Sequence, residues 1–291
     1  MNKVAYTIEH FLNPLGHPHS PREIEEILES TEHMGGSFYS IIEEIVASPF
    51  WQSVDYPDNP YQSLCLNLAK EIDSIYNINV EPAYHSRLHF KDVCLMLSDL
   101  LMHEKFLEAN DITKNAWTTS HEEKWLLLLA AMGHDFCHPG RINQTPFEIE
   151  IKSMALLKDF LSQSMLNPHL IDSIVRRLSP WILATDPAAY GALLEKIAGT
   201  DSSHEDYLAM LLIEADLFAS ILPMKGRLLG ARLAEEWKSV NPTKAAAVNS
   251  SQGRTAFLES LRFISPHAQA LGAEKIRLNS IRALADLKFR D

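Results

Sequence analysis

One short segment, residues 125–132 (WLLLLAAM), limits the possible folds of this chain most strongly because it is apolar at every position. A helix that is apolar on all sides has to run through the protein interior. Ser120 and Glu123 stand three positions apart just before it, as in the capping box that starts a helix. Pro139 and Gly140 are expected to end the helix. The segment therefore predicts a buried central helix.

Helical signals recur along the rest of the chain, and strand-like alternation is not sustained anywhere. Residues 20–23 (SPRE) combine an N-cap, a first-turn proline and a capping-box glutamate. Apolar residues at helical spacing fill 171–178, with an end expected near Pro180, and 205–222 resembles a long helix. We predict an all-α fold, with the small and polar residues 238–255 as a long mobile loop.

Length and composition fit a single all-helical domain over residues 1–291, with 1–75 as an N-terminal helical cap and 76–291 as the core. The three cysteines have no paired spacing, so we expect neither disulfides nor a cysteine-based zinc site. A chain without disulfides fits a reducing compartment, and we expect a cytoplasmic location. We find no signal peptide and no apolar run approaching the ~20 residues that span a bilayer, so no membrane association is expected.

The net charge of −12 argues against a nucleic-acid partner, which usually requires a basic surface. A small anionic substrate stays possible, because bound metal ions can supply positive charge locally. The thirteen histidines make a metal-binding group worth seeking. Nothing in the sequence indicates the oligomeric state.

His85 and His89 stand four positions apart, which on a helix would place both rings on one face. For an isolated pair, two surface histidines are the simpler interpretation. His134 and Asp135 follow the apolar segment directly, where an ionised carboxylate needs a partner or a cation. The alternative there is a turn-capping aspartate beside a core histidine.

Asp216 lies in LLIEADLFASIL among apolar helical neighbours, whereas Glu214 is expected to point elsewhere and needs no special explanation. A buried Asp216 bonded to a hydroxyl or to an arginine such as Arg176 is an equally simple alternative. Asp186 follows Thr185 in a segment that also fits an ordinary turn with a capping aspartate.

The ordered set of His89, His134, Asp135 and Asp216 is more specific than any member alone. Imidazole and carboxylate ligands suit zinc, manganese, iron and magnesium. A carboxylate can bridge two ions, and Asp135 is the natural candidate because it adjoins His134.

These residues resemble the HD-domain phosphohydrolases. More narrowly, YHSRLHFKDV (84–93), AMGHDFCHPG (131–140), ATD (184–186) and EADL (214–217) are similar to the catalytic core of class I 3′,5′-cyclic nucleotide phosphodiesterases. The resemblance covers roughly residues 81–222, and four motifs match in order.

The resemblance implies two divalent metal ions, Zn²⁺ with Mg²⁺ or Mn²⁺, and a metal-activated hydroxide as the nucleophile. It implies that His89, His134, Asp135 and Asp216 hold one ion, and that Asp135 also bridges to the second, which is held mainly by water. It implies that His85 is the general acid. It places His138, Glu150 and Asp186 around the ligands, and Tyr84 beside the substrate.

Base recognition departs from the family pattern. The family's ADxSNP asparagine is absent after Asp216, and Phe257 fits the family's aromatic clamp, but Arg254 stands where a purine-binding glutamine is normal. Gln252 is two positions out of register. Arg254 is expected to be a solvated loop arginine or, if it reaches the site, a phosphate ligand.

The sequence thus predicts a hydrolase for a small phosphorylated substrate, in the first place a cyclic nucleotide. A phosphohydrolase acting on a nucleotide monophosphate or another phosphomonoester is the second hypothesis. A catalytically weak regulatory module is the third.

Overall fold

The computed structural model describes residues 7–13, 17–33, 36–54, 59–106 and 116–288. Within these residues the protein is all-α, as predicted, with no strand. The helices in chain order are α1 (Ile8–Phe11), α2 (Pro21–His33), α3 (Phe38–Ala47), α4 (Pro49–Ser53), α5 (Tyr61–Ile78), α6 (Arg87–Met102), the 3₁₀ turn η1 (His103–Phe106), α7 (His121–Gly133), α8 (Glu148–Ser162), α9 (Pro168–Leu183), α10 (Pro187–Ala198), α11 (His204–Ile221), α12 (Lys225–Trp237), α13 (Pro242–Asn249), α14 (Ser251–Ser260), α15 (Pro266–Ala270) and α16 (Ala273–Lys288).

Three helices form the centre of the molecule. α11 packs against α6, α7, α9, α12 and α16, and α6 also packs against α7. Residues 89–102 of α6 are all buried, and so are residues 123–133 of α7. The prediction that residues 125–132 form a buried central helix is therefore confirmed. A helix that is apolar on all sides is stable only when apolar neighbours cover every side.

The N-terminal helices pack on this centre. α3 contacts α5 and α6, α5 contacts α7, and α2 contacts α6. One hydrophobic cluster includes buried side chains from Ile8 in α1 to Leu284 in α16. The division into a cap over 1–75 and a core over 76–291 stays a prediction.

The helix starts follow the sequence signals closely. The Ser20 and Ser120 hydroxyls each accept a bond from the backbone N–H of the glutamate three positions on, and that glutamate's carboxylate accepts from the serine N–H. Both predicted capping boxes are therefore confirmed.

Two predicted helix ends are wrong. α9 continues through Pro180 to Leu183, which the chain tolerates because the carbonyl that loses its bond belongs to exposed Arg176. α7 ends at Gly133, before Pro139 and Gly140, so His134 and Asp135 lie in the turn that follows it.

The predicted mobile loop over 238–255 is also wrong, because these residues include α13 and the start of α14. Asn241 caps α13 by accepting from the N–H of Lys244, and Pro242 occupies its first turn. Ser250 caps α14 by accepting from the N–H of Gly253. A polar and small composition here reflects two capped helices rather than a loop.

Among the described residues, no single helix is long and apolar enough to cross a membrane. The bent pair α11 and α12, with 98° between its arms, meets those criteria of length and composition only when taken together.

Candidate metal centre and its cavity

A cavity of about 820 Å³ lies between the ends of the central helices and the helices α12 to α14. Its size suits a small ligand, since such pockets usually measure roughly 300–1,000 Å³. All but one of the residues predicted for the site line it, namely Tyr84, His85, His89, His134, Asp135, His138, Glu150, Asp186, Asp216, Arg254 and Phe257. The exception is Gln252, whose side chain is exposed.

The four predicted metal ligands meet at one end of this cavity. Nε2 of His89 lies 3.3 Å from Nε2 of His134, and 3.4 Å from Oδ2 of Asp135. Oδ1 of Asp216 lies 3.2 Å from Nε2 of His89 and 3.7 Å from Nε2 of His134. Three separate chain segments, namely α6, the turn after α7, and the middle of α11, bring these side chains together.

The spacing of these atoms fits a metal ion. Nitrogen and oxygen ligands about 2.0–2.2 Å from a tetrahedral zinc ion are roughly 3.3 Å apart, and the distances above scatter around that value. Nδ1 of His134 donates to the carbonyl of Ala131 at 2.9 Å, so Nε2 carries the lone pair that a metal needs. The donor set therefore suits a divalent transition metal.

The charges of these groups depend strongly on one another. Burial opposes ionisation, but contacts with the histidines hold the pKa of Asp135 and of Asp216 well below the usual range. Burial likewise lowers the pKa of His89, but bonds to Asp135 and Asp216 raise it overall to about 9. Two carboxylates facing two imidazoles at this distance create a site that favours a cation, either a proton or a metal ion.

Asp216 does not bond to Arg176, which is exposed on α9. Asp216 and Leu217 are the only two half-buried residues between 208 and 222, because they face the cavity while their neighbours pack inside the protein. Glu214, in contrast, is fully buried and accepts from the N–H groups of Ile264 and Ser265. Burial raises its pKa to about 7. Glu214 does not line the cavity, in agreement with the expectation that it points elsewhere, but as a buried carboxylate it does call for an explanation.

His85 lies beside the ligands but not on their helix. α6 begins at Arg87 with Ser86 as its N-cap, so the expectation of His85 and His89 one turn apart on a helix is wrong. Their ring centroids are still 6.0 Å apart, and Nε2 of His85 lies 3.9 Å from Oδ2 of Asp135. The ring therefore faces the predicted metal ligands from the preceding loop.

Glu236, from α12, holds His85 in place. Its Oε1 lies 2.6 Å from Nδ1 of His85, and its Oε2 accepts from the N–H groups of Tyr84 at 2.7 Å and His85 at 3.0 Å. These bonds lower the pKa of Glu236 although burial raises it. Three bonds from one carboxylate fix both the backbone and the ring of His85.

His138 stacks on His85, with ring centroids 3.5 Å apart. Its Nδ1 accepts from the N–H of Gly140 at 3.1 Å. Burial and the charge of His85 lower the pKa of His138 to about 3, so this ring stays neutral in neutral solution. Its role is to support His85 sterically and to present Nε2–H to the cavity.

Glu150 and Asp186 are joined by Asn143. Nδ2 of Asn143 donates to Glu150 at 2.8 Å and to Asp186 at 3.0 Å. Asp186 also accepts from the N–H groups of Phe147 and Ala188, the latter as N-cap of α10. The capping role proposed for Asp186 from the sequence is therefore present together with a bond network beside the metal ligands.

The loop that carries Asn143 has a strained backbone at both ends. Cys137 has φ 59° and Phe147 has φ 65°, in the left-handed region that residues with a side chain rarely adopt. The N–H of Phe147 is held by Asp186. Strain of this kind persists only where surrounding bonds impose it.

Tyr84 packs against the ring of His89, with centroids 4.9 Å apart, and against His85. Burial and the charge of Asp216 raise the pKa of its hydroxyl well above the usual value, while a bond to Ser220 lowers it. The phenol therefore stays neutral and forms part of the cavity wall beside the ligands.

Arg254 is not the solvated loop residue that is one of its two sequence expectations. It is buried, and its guanidinium donates to the carbonyls of Gly226, Ser220 and Leu222. Burial and the charge of Arg227 lower its pKa to about 10. The expectation of a solvated loop arginine is therefore wrong, because these bonds stabilise the bend between α11 and α12. The side chain also lines the cavity, and its role as a phosphate ligand stays a prediction.

Two residues important for this site were missed from the sequence. Glu236 stands seven positions after Leu229 and three after Leu233, so it continues an apolar stripe that could have marked it as buried. Asn143 lies in a loop, where helical periodicity gives no information about burial. The only available signal was its position in the chain, five residues after His138.

Comparisons with known proteins bear on the fold. No protein-family model matches the sequence, and neither does any curated protein. The solved phosphodiesterase domain of the RhoPDE fusion protein from the choanoflagellate Salpingoeca rosetta is similar, with 19% identity and a TM-score of 0.54. The match covers 85% of this chain and 97% of that one. At this level of identity the likeness concerns the all-α fold.

Proposed function

We propose that this chain is a metal-dependent phosphohydrolase that cleaves a phosphodiester, and that its substrate is a 3′,5′-cyclic nucleotide opened to the 5′-monophosphate. The observation that carries the proposal is the convergence of His89, His134, Asp135 and Asp216 at 3.1–3.7 Å, with His85 held beside them. A fold shared with a phosphodiesterase domain supports it.

The four ligands would hold one divalent ion, and Asp135 would also contribute to a second ion held mainly by water. When bound, such ions supply hydroxide from water at neutral pH and offset the negative charge of the phosphoryl group. The turn after α7 aims Asp135 into the cavity, and the carbonyl of Ala131 keeps the Nε2 of His134 available. Glu150, held by Asn143, adds a further carboxylate next to this end of the cavity.

His85 would act as the general acid. Its Nδ1 donates to Glu236, so Nε2 is the ring atom that can hand a proton to the leaving oxygen. The Glu236 carboxylate stabilises the protonated ring and fixes its direction. An alkoxide such as the 3′ oxygen of a ribose needs this proton, because it is a poor leaving group on its own.

The remainder of the cavity would hold the nucleoside. Its wall is apolar where Leu229, Leu233 and Phe257 line it, and Tyr84 closes it beside the ligands. These surfaces suit a base and a ribose through stacking and burial rather than through a fixed hydrogen-bond pattern.

A second candidate function is hydrolysis of a phosphomonoester at the same metal site. It is favoured by the positions of two side chains. Gln252 is exposed, and the guanidinium of Arg254 is bonded to backbone carbonyls. Neither side chain is therefore arranged to recognise a purine.

A substrate panel separates the two. Purified chain, supplied in turn with Mn²⁺, Mg²⁺ and Zn²⁺, is assayed on 3′,5′-cyclic AMP, 3′,5′-cyclic GMP, bis(4-nitrophenyl) phosphate and 4-nitrophenyl phosphate. The proposal expects cleavage of a cyclic nucleotide. Cleavage of the monoester alone would establish the second candidate instead, and inactivity on all four substrates with metal bound would contradict both.

The matched control for this panel changes an aspartate that lies outside the cavity. Asp216→Asn should abolish cleavage, whereas Asp172→Asn, at an exposed position on α9, should leave it unchanged. Equal activity in both variants would show that the cleavage comes from a contaminating enzyme.

A further inference from the structure

A second group of histidines and a carboxylate lies at the other end of α6. It consists of His19 just before α2, Asp99 in the last turn of α6, and His103 in η1. Asp99 is ten positions after His89, about 15 Å farther along the helix. The group is therefore separate from the cavity, and none of its three residues lines that cavity.

The three side chains are close and fully enclosed. Nδ1 of His19 lies 2.8 Å from Oδ1 of Asp99, and Nδ1 of His103 lies 3.7 Å from the same oxygen and 2.9 Å from the backbone carbonyl of Asp99. One potential ligand atom from each residue lies within 4.8 Å of the other two. All three side chains are at most 2% exposed.

Buried polar atoms without a partner point to a missing ligand. Nε2 of His19 and Oδ2 of Asp99 are buried and have no hydrogen-bond partner. Both ring nitrogens of His267, in α15, are in the same condition, and α15 packs directly against η1 and α6. Buried polar groups in proteins are nearly always satisfied, so such a concentration calls for an ion or a water molecule.

The surroundings keep this group rigid. The ring of Phe11 stacks on His19 with centroids 4.3 Å apart, and the rings of His19 and His103 are 6.1 Å apart. Rigid side chains and a dry environment favour a metal site whose role is structural.

We infer that His19, Asp99 and His103 bind a structural transition-metal ion of the zinc type. Imidazole nitrogens with one carboxylate oxygen are a usual zinc ligand set. The ion would tie the segment before α2 to α6 and η1, and thus hold the N-terminal helices on the centre of the molecule. The competing arrangement is a histidine–aspartate hydrogen bond with no metal.

The experiment isolates this group from the cavity. The double variant Asp135→Asn/Asp216→Asn serves as the background, because it removes both carboxylates of the predicted metal centre in the cavity. After incubation with Zn²⁺ and dialysis against a weak chelator, mass spectrometry should find one zinc ion per chain. Adding His19→Gln should weaken zinc binding by at least about a hundredfold, since even loss of a group that only supports a ligand costs 10–100-fold.

Two controls make the result decisive. His169→Gln, at an exposed position, should leave the zinc ion bound in the same background. Zn²⁺ should also raise the Tm of the background by about 5 °C, and not that of the His19→Gln variant.

If His19→Gln does not fold, Co²⁺ absorption of the background itself gives the answer. Intense visible bands of a tetrahedral ion with nitrogen and oxygen ligands support the inference. A background that retains no zinc, or that keeps it unchanged after His19→Gln, overturns it, and so does a pale octahedral Co²⁺ spectrum.

Discussion

The two sides of the cavity are stabilised in different ways. At the metal end, charged side chains from α6, α11 and the turn after α7 face each other, and opposite charges hold them within 3.1–3.7 Å. On the opposite side, α12 to α14 are held by backbone carbonyls that accept from Arg254 and by a close approach at Gly226, where a Cβ would overlap the carbonyl of Ser220. The first arrangement favours a cation, whereas the second is stabilised by hydrogen bonds and by packing.

One residue joins the two sides. Glu236 belongs to α12, yet its carboxylate holds the backbone and ring of His85 next to the metal ligands. The comparison therefore predicts that variants at the metal end change activity with little effect on folding, that variants in the opposite wall change folding, and that Glu236 variants change the acid step.

The largest expected effect is at the metal end. His134→Ala should lower kcat/KM for phosphodiester cleavage by on the order of a thousandfold, because the charge stabilisation that a metal ion supplies is worth several kcal/mol. Its Tm should stay within a few degrees of the wild type, measured by calorimetry in the presence of chelator. A variant that keeps more than a tenth of the wild-type activity would show that His134 is not a metal ligand.

In the opposite wall, Arg254→Ala should lower the free energy of unfolding by about 3 kcal/mol, because three buried carbonyls lose a charged donor. Urea unfolding measures the change. A variant with unchanged stability but a KM raised tenfold or more would instead assign Arg254 to substrate phosphate.

The acid step depends on the leaving group. His85→Ala should slow cleavage of a cyclic nucleotide about a hundredfold, because the ribose alkoxide needs a proton. Cleavage of bis(4-nitrophenyl) phosphate should change less than threefold, since nitrophenolate leaves without one. Comparable losses on both substrates would contradict a general-acid role for His85.

Glu236→Gln should lower kcat on a cyclic nucleotide about tenfold with KM unchanged, because the amide keeps the position of His85 but stabilises its protonated ring less. The basic limb of the kcat–pH profile should move to lower pH, because a neutral amide stabilises the protonated form of the general acid less than a carboxylate does. A stopped-flow or steady-state profile that coincides with that of the wild type would restrict Glu236 to a structural role.

The smallest effect is expected at Gln252. Gln252→Ala should change kcat/KM less than twofold for any active substrate, because the side chain is exposed outside the cavity lining. Steady-state kinetics on cyclic AMP and cyclic GMP test this. A tenfold loss would show that α14 moves Gln252 into the cavity when substrate binds.

The central helices of the fold were easier to predict from the sequence than the helices α13 and α14 at its edge. The apolar segment in α7 and the stripe in α11 predict buried helices, because burial and helical period act locally and together. His134, Asp135 and Asp216 stand on or next to these helices, so their meeting could be anticipated. α13 and α14 could not, since their composition is that of a loop. Their stability comes from caps, from the packing of α13 on α12, and from the packing of α14 on α13 and α16.

The bonding partners within the site were harder to predict. Glu236 is 151 positions away from His85, and Glu214 is 50 positions away from Ile264. Such pairs depend on how the helices are arranged, which periodicity within one segment does not determine. His85 lies outside α6 because Ser86 is the N-cap of that helix. The spacing of two histidines does not determine the residue at which a helix begins.

The most direct test of the account is to follow activity as metal is removed and restored. Protein stripped by a chelator should lose phosphodiester cleavage, and cleavage should return in proportion to the Mn²⁺ bound, in the wild type but not in Asp135→Ala. Full cleavage by metal-free protein, or equal recovery in Asp135→Ala, would contradict a hydrolytic metal centre at His89, His134, Asp135 and Asp216.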